Sequence, residues 1–194
     1  KRGRPAQCPS CHSPAWDRPV SGSEPFRRIA VALNQLKRGR VVRDWVIYGA
    51  VAYTFHEEPI ETADLDVLVL VDSDADYFER VFPALRELGP MVGDAATFLI
   101  HGIPVQVFPA QGNPLWEDTL RGAVRGRIGN VPVKVASREH LIVLALVSYR
   151  PGKDWGRIAQ LYQKADTRKI YELLRRFDNG EGLLRRRLER LLQS

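Results

Sequence analysis

The period of the hydrophobic positions changes along this chain, and the changes divide it. Residues 1–22 are rich in Pro, Ser and Arg and carry no period, which reads as a flexible arm. Over roughly residues 24–38, Phe26, Ile29, Ala30, Leu33 and Leu36 recur at helical spacing and make one apolar face, with Ser23 placed to cap it. "DWVIYG" then reads as a short strand, and "AVAYTFHE" as a short helix beginning directly after Gly49. The loop "EEPIET" leads into "DLDVLVLV", a β-branched and leucine run bounded by aspartates. A further helix follows, with Tyr77, Val81, Leu85 and Leu88 three to four apart and Asp72 or Asp74 as its cap.

"ATFLI-HG-IPVQVF" has the form of a hairpin turning at His101–Gly102, and "RIGNVPVKVAS" of a second one around Gly129–Asn130. Between them "NPLWEDTLRGA" predicts a short helix opened by Pro114. After Ser137 the pattern is helical to the end, in segments near 138–149, 154–164, 167–177 and 183–193. No internal repeat is present. The expected fold class is α+β: a mixed sheet flanked by helices, with a helical C-terminal part. The expected organisation is an arm over 1–22, a core over 23–136 and a C-terminal part over 137–194 that packs on the core.

Composition narrows the classes. The chain has 194 residues, 44% of them hydrophobic, which suits one packed domain with a small appendage. The longest apolar run, "LIVLALV" at 141–147, is far too short to cross a bilayer, and the basic, Pro- and Ser-rich start has no signal-peptide form. A cytoplasmic protein without a membrane partner is the expectation. The formal charge of +6 is clustered in "KRGR", "LKRGR" and "LLRRRLERLL". Such clusters attract anions, but solvated helix faces carry them too.

The arm holds two short motifs. In "KRGRP", Gly3 lets an extended backbone lie deep in a narrow minor groove while Arg2 and Arg4 reach along its negative floor, as in the core of an AT-hook. Four residues make a weak case for DNA, since basic tails arise easily. "CPSC", with Cys8 and Cys11, has the spacing of half a zinc ribbon, with His12 beside it. Tetrahedral zinc needs four ligands, and no second cysteine pair exists, so zinc is not expected there.

The candidate chemistry lies at residues 48–72. Residues i and i+2 of a strand share a face, so Asp64 and Asp66 project together while Leu65 turns to the core. Two carboxylates that close repel each other unless they share a proton or a cation. Mg²⁺, or Mn²⁺ in its place, takes such carboxylates together with phosphate oxygens. Gly49 stands between a strand and a helix, where the missing side chain lets backbone N–H groups approach an anion. Taken alone, Asp-x-Asp also describes a turn cap followed by a strand-edge charge.

The whole stretch "YGAVAYTFHEEPIETADLDVLVLV" resembles the nucleotidyltransferase superfamily signature: a Gly pair, a short helix and loop, then Asp-x-Asp. "HGIPVQVFP" and "VKVASREHLIVLALVSYRPGKDWGRIAQLYQ" are similar to the AbiEii-type nucleotidyltransferases of abortive-infection and toxin–antitoxin systems. The resemblance covers roughly 24–178. It implies a minimal nucleotidyltransferase sheet binding Mg²⁺ and a nucleoside triphosphate, with nucleotidyl transfer to an RNA or protein hydroxyl and an antitoxin or toxin partner chain. Asp64 and Asp66 would hold metal, Gly49, Ala50, Thr62 and Lys153 would serve the nucleotide, and Asp154 would match the Lys-Asp element, on the metal or the acceptor.

Three positions depart from that pattern. Ala50 replaces the second residue of the Gly pair, which removes a hydroxyl but keeps the backbone donors. Gln106 stands where active relatives carry a third carboxylate, and a glutamine cannot take a proton from an attacking hydroxyl. Ala145 stands where a lysine is frequent, leaving Arg150 or Lys153 to replace it. The alternative expectation is therefore a catalytically silent binding or regulatory module, tied to DNA through the KRGRP arm.

Overall fold

A computed structural model describes residues 24–58, 62–93, 96–178 and 180–193, without the side chains of Pro151 and Lys153. The AT-hook-like Arg2, Gly3 and Arg4 and the pair Cys8 and Cys11 lie outside the described residues, as does Ser23. No helix among the described residues is long and apolar enough to cross a membrane.

Six strands form one mixed sheet: β1 (Asp44–Tyr48), β2 (Leu65–Leu70), β3 (Thr97–Ile100), β4 (Ile103–Pro109), β5 (Val124–Ile128) and β6 (Val131–Val135). Their spatial order is β3-β4-β2-β1-β6-β5. Both outer pairs are hairpins, β3–β4 and β5–β6, and each turns through left-handed backbone at His101–Gly102 and at Gly129. The inner strands are joined across the sequence: β2 is antiparallel to β1 and parallel to β4, and β1 is parallel to β6. The inner strands lie under helices, so Val46, Ile47, Val67, Leu68 and Val69 are fully buried and read as near-continuous apolar runs.

Helix α1 (Glu24–Arg38) lies on β1, β5 and β6 with Ile29, Ala30 and Leu33 inward, and Asn34 ties it to Pro132 O and the Trp45 indole. Helix α2 (Gly49–His56) follows β1 with no intervening residue. The helix after β2 is continuous in space but not in winding. α3 (Asp74–Asp76) passes through a π-helical turn (Tyr77–Val81) into α4 (Phe82–Leu88), with Tyr77, Val81 and Leu85 buried. Its cap is neither Asp72 nor Asp74 but Ser73, whose hydroxyl accepts from Asp76 N–H.

Helix α5 (Pro114–Arg121) packs on β1 and β2 and is capped by Asn113. The C-terminal helices are α6 (Arg138–Ser148), α7 (Pro151–Tyr162), α8 (Thr167–Phe177) and α9 (Leu183–Leu192). They are joined to α2 by polar contacts: His56 Nε2 lies 2.7 Å from Ala136 O, Arg138 reaches His56 O, and Tyr53 bonds to Gln160. Buried Glu57 accepts from Arg138 and from Lys164, so the end of α2 is held by charge as well as by packing.

Candidate active site

The cleft lies where the central strands end against α2, α6 and α7, and its volume is about 390 Å³. Gly49, Ala50, Asp64, Asp66, Gln106 and Asp154, all singled out in the sequence, line it together. The register explains why. Tyr48 stands opposite Asp66 across the antiparallel pair, and Asp66 stands beside Gln106 across the parallel one. A row Tyr48–Asp66–Gln106 therefore crosses β1, β2 and β4 on one face of the sheet.

Gly49 takes φ +68°, a conformation that costs an L side chain about 1–2 kcal/mol. A Cβ there would also overlap the Asp66 carboxylate, falling 2.9 Å from its Cγ. Glycine is required because Asp66 lies across the start of α2. Tyr48, the residue before α2, makes no side-chain capping bond, and Gly49 and Ala50 line the cleft, so the N-terminal end of the helix opens on it. Thr62 donates to Asp64 Oδ1 at 2.8 Å and so fixes the first carboxylate rather than lining the cleft.

The sheet side of the cleft is acidic, and the opposite side carries cations. Arg150, just before α7, and Arg157, within it, line the cleft. Asp154 is buried at 3% exposure, and Arg150 Nε bonds its Oδ2 at 3.0 Å with Ser148 also in reach. That carboxylate orients Arg150 over the cleft. The hydroxyl of Tyr48 is raised well above the ordinary tyrosine value by burial first, then by Asp66, against a smaller opposing effect of Arg150. It stays protonated and available as a hydrogen-bond donor. The remaining wall is apolar, with Phe108 and Trp116 at a ring separation of 5.9 Å, and Leu141 and Leu144 from α6. Ala145 is on this wall, so no lysine reaches in from α6. The Lys153 side chain lies outside the described part of the structure.

Several of these residues carried no signal of their own in the sequence. Arg157 follows Asp154 by one helical turn and so shares its face, a signal already present in the helix expected near 154–164. Trp116 enters only because α5 packs on β1 and β2. Four acids near this part of the sequence, Glu57, Glu58, Glu61 and Asp94, are candidates to replace a carboxylate at position 106; Glu57 turns inward, but onto Arg138 and Lys164, and does not line the cleft. Glu58 is exposed, and Glu61 and Asp94 are outside the described residues.

Among the described residues no group of three or more His, Cys, Asp or Glu side chains converges. The donor set for a cation at the cleft is thus two carboxylates, Asp64 and Asp66, with the Gln106 amide oxygen alongside. All are hard oxygens, and two carboxylates completed by water and phosphate oxygens fit what Mg²⁺ takes.

One other constellation has the look of a catalytic triad. Ser137 Oγ lies 2.9 Å from His140 Nδ1, and His140 Nε2 lies 3.1 Å from Asp118 Oδ2. Ser137 and His140 are 3% and 1% exposed and do not line the cleft. Ser137 caps α6, and Asp118 is taken by Arg176 at 2.9 Å and Arg121 at 3.2 Å. This is a buried clamp between α5, α6 and α8.

Comparison with known proteins bears on the fold. No family model matches the chain, and no curated protein matches it. Solved structures do. An antigenic nucleotidyltransferase-like protein from Paracoccidioides brasiliensis superposes with TM-score 0.55 at 15% identity, over 84% of this chain and 94% of that one. The antibiotic-resistance factor ANT(2'')-Ia, solved in solution, gives TM-score 0.57 at 13% identity over 85% and 97%. Its crystal structure in complex with adenylyl-2''-tobramycin gives 0.55 at 14% over 79% and 97%. At these identities the likeness is one of fold, shared with that nucleotidyltransferase-like protein and with ANT(2'')-Ia.

Proposed function

We propose that this chain binds a Mg²⁺–nucleoside triphosphate in the cleft and transfers a nucleotidyl group to an acceptor hydroxyl. The observation that carries the reading is the packing of Asp66 over Gly49, which sets a strand carboxylate against the start of a helix. Asp64, fixed by Thr62, and Asp66 would hold the cation. It would neutralise the triphosphate oxygens and polarise the α-phosphorus. The N–H groups at Gly49 and Ala50 would bind phosphate, and Arg150, held by Asp154, would face it from the other wall. In the transfer the acceptor oxygen bonds to the α-phosphorus as the bond to the β-phosphate breaks. Pyrophosphate leaves with the electron pair, and the hydroxyl proton passes to water. ANT(2'')-Ia solved with adenylyl-2''-tobramycin supports a product of this kind. The AbiEii-like stretches of the sequence extend the proposal to an RNA or protein acceptor and to a partner chain of the toxin–antitoxin kind.

Gln106 favours a second reading. It lies in register with Asp66, where a third carboxylate would take the acceptor proton, and it cannot do so. A module that binds nucleotide without turnover keeps every other feature of the cleft.

The test is calorimetric titration of the four nucleoside triphosphates with Mg²⁺ into the native chain and into an Asp64→Asn, Asp66→Asn variant. Binding in the native chain that vanishes in the variant supports the nucleotide site, and pyrophosphate release then separates the two readings. Absence of metal-dependent binding in the native chain would overturn both.

A further inference from the structure

Two open grooves continue the cleft toward the C-terminal helices. The first, of about 630 Å³, shares Trp116 and Val147 with the cleft, and Val147 is 50% exposed. The second, of about 640 Å³, meets the first at Asp178 and is lined by α8, α9 and the turn between them. The three make one track across the protein surface.

The track is basic. Arg176 and Arg187 border the first groove, and Arg168, Arg175 and Arg185 border the second. Residues 167–193 hold eight Arg and Lys against four Asp and Glu, a surplus of four within a chain of formal charge +6. Arg168 and Arg175 make no ion pair among the described residues. Arg185 pairs with Glu189 at the surface, where such pairs contribute little and exchange readily. Glu172 and Asp178 also face the second groove, but Asp178 is occupied in accepting from the Leu184 and Arg185 N–H groups.

Aromatic faces punctuate the arginines. Trp116 stands at the mouth of the cleft, and Tyr171, 36% exposed, lies 5.9 Å from the Arg185 guanidinium. Cations alternating with ring faces suit a single-stranded nucleic acid, whose phosphates need counter-charge and whose unstacked bases need a platform. A duplex offers no free base faces, and an acidic peptide has no use for the rings. A ribose terminus carries the hydroxyls that transfer requires.

We infer that the acceptor is single-stranded RNA, lying along the α8–α9 groove and passing Trp116 to present a terminal ribose hydroxyl in the cleft. This rests on the cleft being the nucleotidyl-transfer site proposed above.

The test uses a fluorescein-labelled 12-mer of uridylate, read by anisotropy across a salt series with the full chain. Removing three phosphate contacts with Arg168→Ala, Arg175→Ala and Arg185→Ala makes the slope of log K against log salt shallower by about 2, and weakens binding about 100-fold at 0.1 M salt. Trp116→Leu weakens binding about tenfold or more at an unchanged slope. Calorimetry on the triple variant shows Mg²⁺–nucleotide binding as in the native chain, which also establishes that it is folded. The inference is overturned if the native chain does not bind the 12-mer, if the triple variant binds with native affinity and slope, or if polyphosphate or polyglutamate of equal charge displaces the RNA with equal affinity. Nucleotide binding without RNA binding sinks the RNA surface alone. RNA binding without nucleotide binding leaves the surface standing and overturns its role as an acceptor site.

Discussion

The substitution Gly49→Ala separates two effects that the structure places at one residue. The first is conformational, since φ is +68° and an alanine held there costs about 1–2 kcal/mol. The second is local to the site: the new Cβ would overlap the Asp66 carboxylate, with its Cγ only 2.9 Å away. The carboxylate is the movable partner, so it would rotate off the helix start and away from any ligand shared with Asp64. Gly102→Ala is the control, because φ there is +79° and nothing lies within 4 Å of the added carbon. Both variants should lose comparable stability. For a chain of this size, 1–2 kcal/mol corresponds to a fall of roughly 2–8 °C in Tm. Only Gly49→Ala should lose Mg²⁺-dependent nucleotide binding, by about tenfold or more, the equivalent of 1.4 kcal/mol. Thermal unfolding by circular dichroism and calorimetric titration of both variants provide the measurement. Native nucleotide affinity in Gly49→Ala would refute the assignment of the Gly49–Asp66 contact to the binding site.

Two further outcomes follow from other parts of the molecule. His56 and His140 are both held below the ordinary histidine value, in each case by burial first, so the folded state takes up fewer protons than the unfolded chain below pH 6.5. Stability should therefore fall as pH drops from about 7.5 to 5.5, by up to about 1.4 kcal/mol for each histidine, and urea midpoints that stay flat over that range would contradict it. Gln106→Asp puts a third carboxylate beside Asp66, which should strengthen Mg²⁺-dependent nucleotide binding and raise pyrophosphate release about tenfold or more. Unchanged binding in that variant would mean that position 106 does not face the cation.

What the sequence made legible was local. The three-to-four spacing in "REHLIVLALVS" and "TRKIYELLRRF" is carried by each helix's own buried stripe, and the His101–Gly102 and Gly129 turns by their own left-handed backbone. The Asp64–Asp66 pair was legible because strand period alone puts both on one face. Features set between distant segments were not. That Tyr48 and Gln106 flank Asp66 depends on strand order, and no local signal states that order. The resemblance gives Asp154 to the metal or the acceptor, and nothing in its local sequence states that its carboxylate pairs with Arg150 one turn before it. Asp72, Ser73 and Asp74 can all cap by type, and the choice falls to Ser73 because its extended backbone directly precedes the first helical residue. The π-helical turn that follows inserts a residue into a helix whose apolar spacing had looked regular.

The strand order has a bearing on how the protein is made. The two hairpins at the sheet edges close between sequence neighbours, an event on the microsecond scale. The middle joins segments far apart: β2 must find β4 beyond the α3–α4 helix, and β1 must find β6 at Ile47 and Val135. Such distant pairings bear the loop-closure entropy and come late. The row Tyr48–Asp66–Gln106 crosses one of these late seams, β2–β4, so a chain that has closed only its hairpins has its edges but not the full row. Asp64 and Asp66 belong to one stretch of chain, whereas Gln106 comes beside Asp66 only when β2 pairs with β4, so the cleft floor is completed by tertiary pairing and not by local structure.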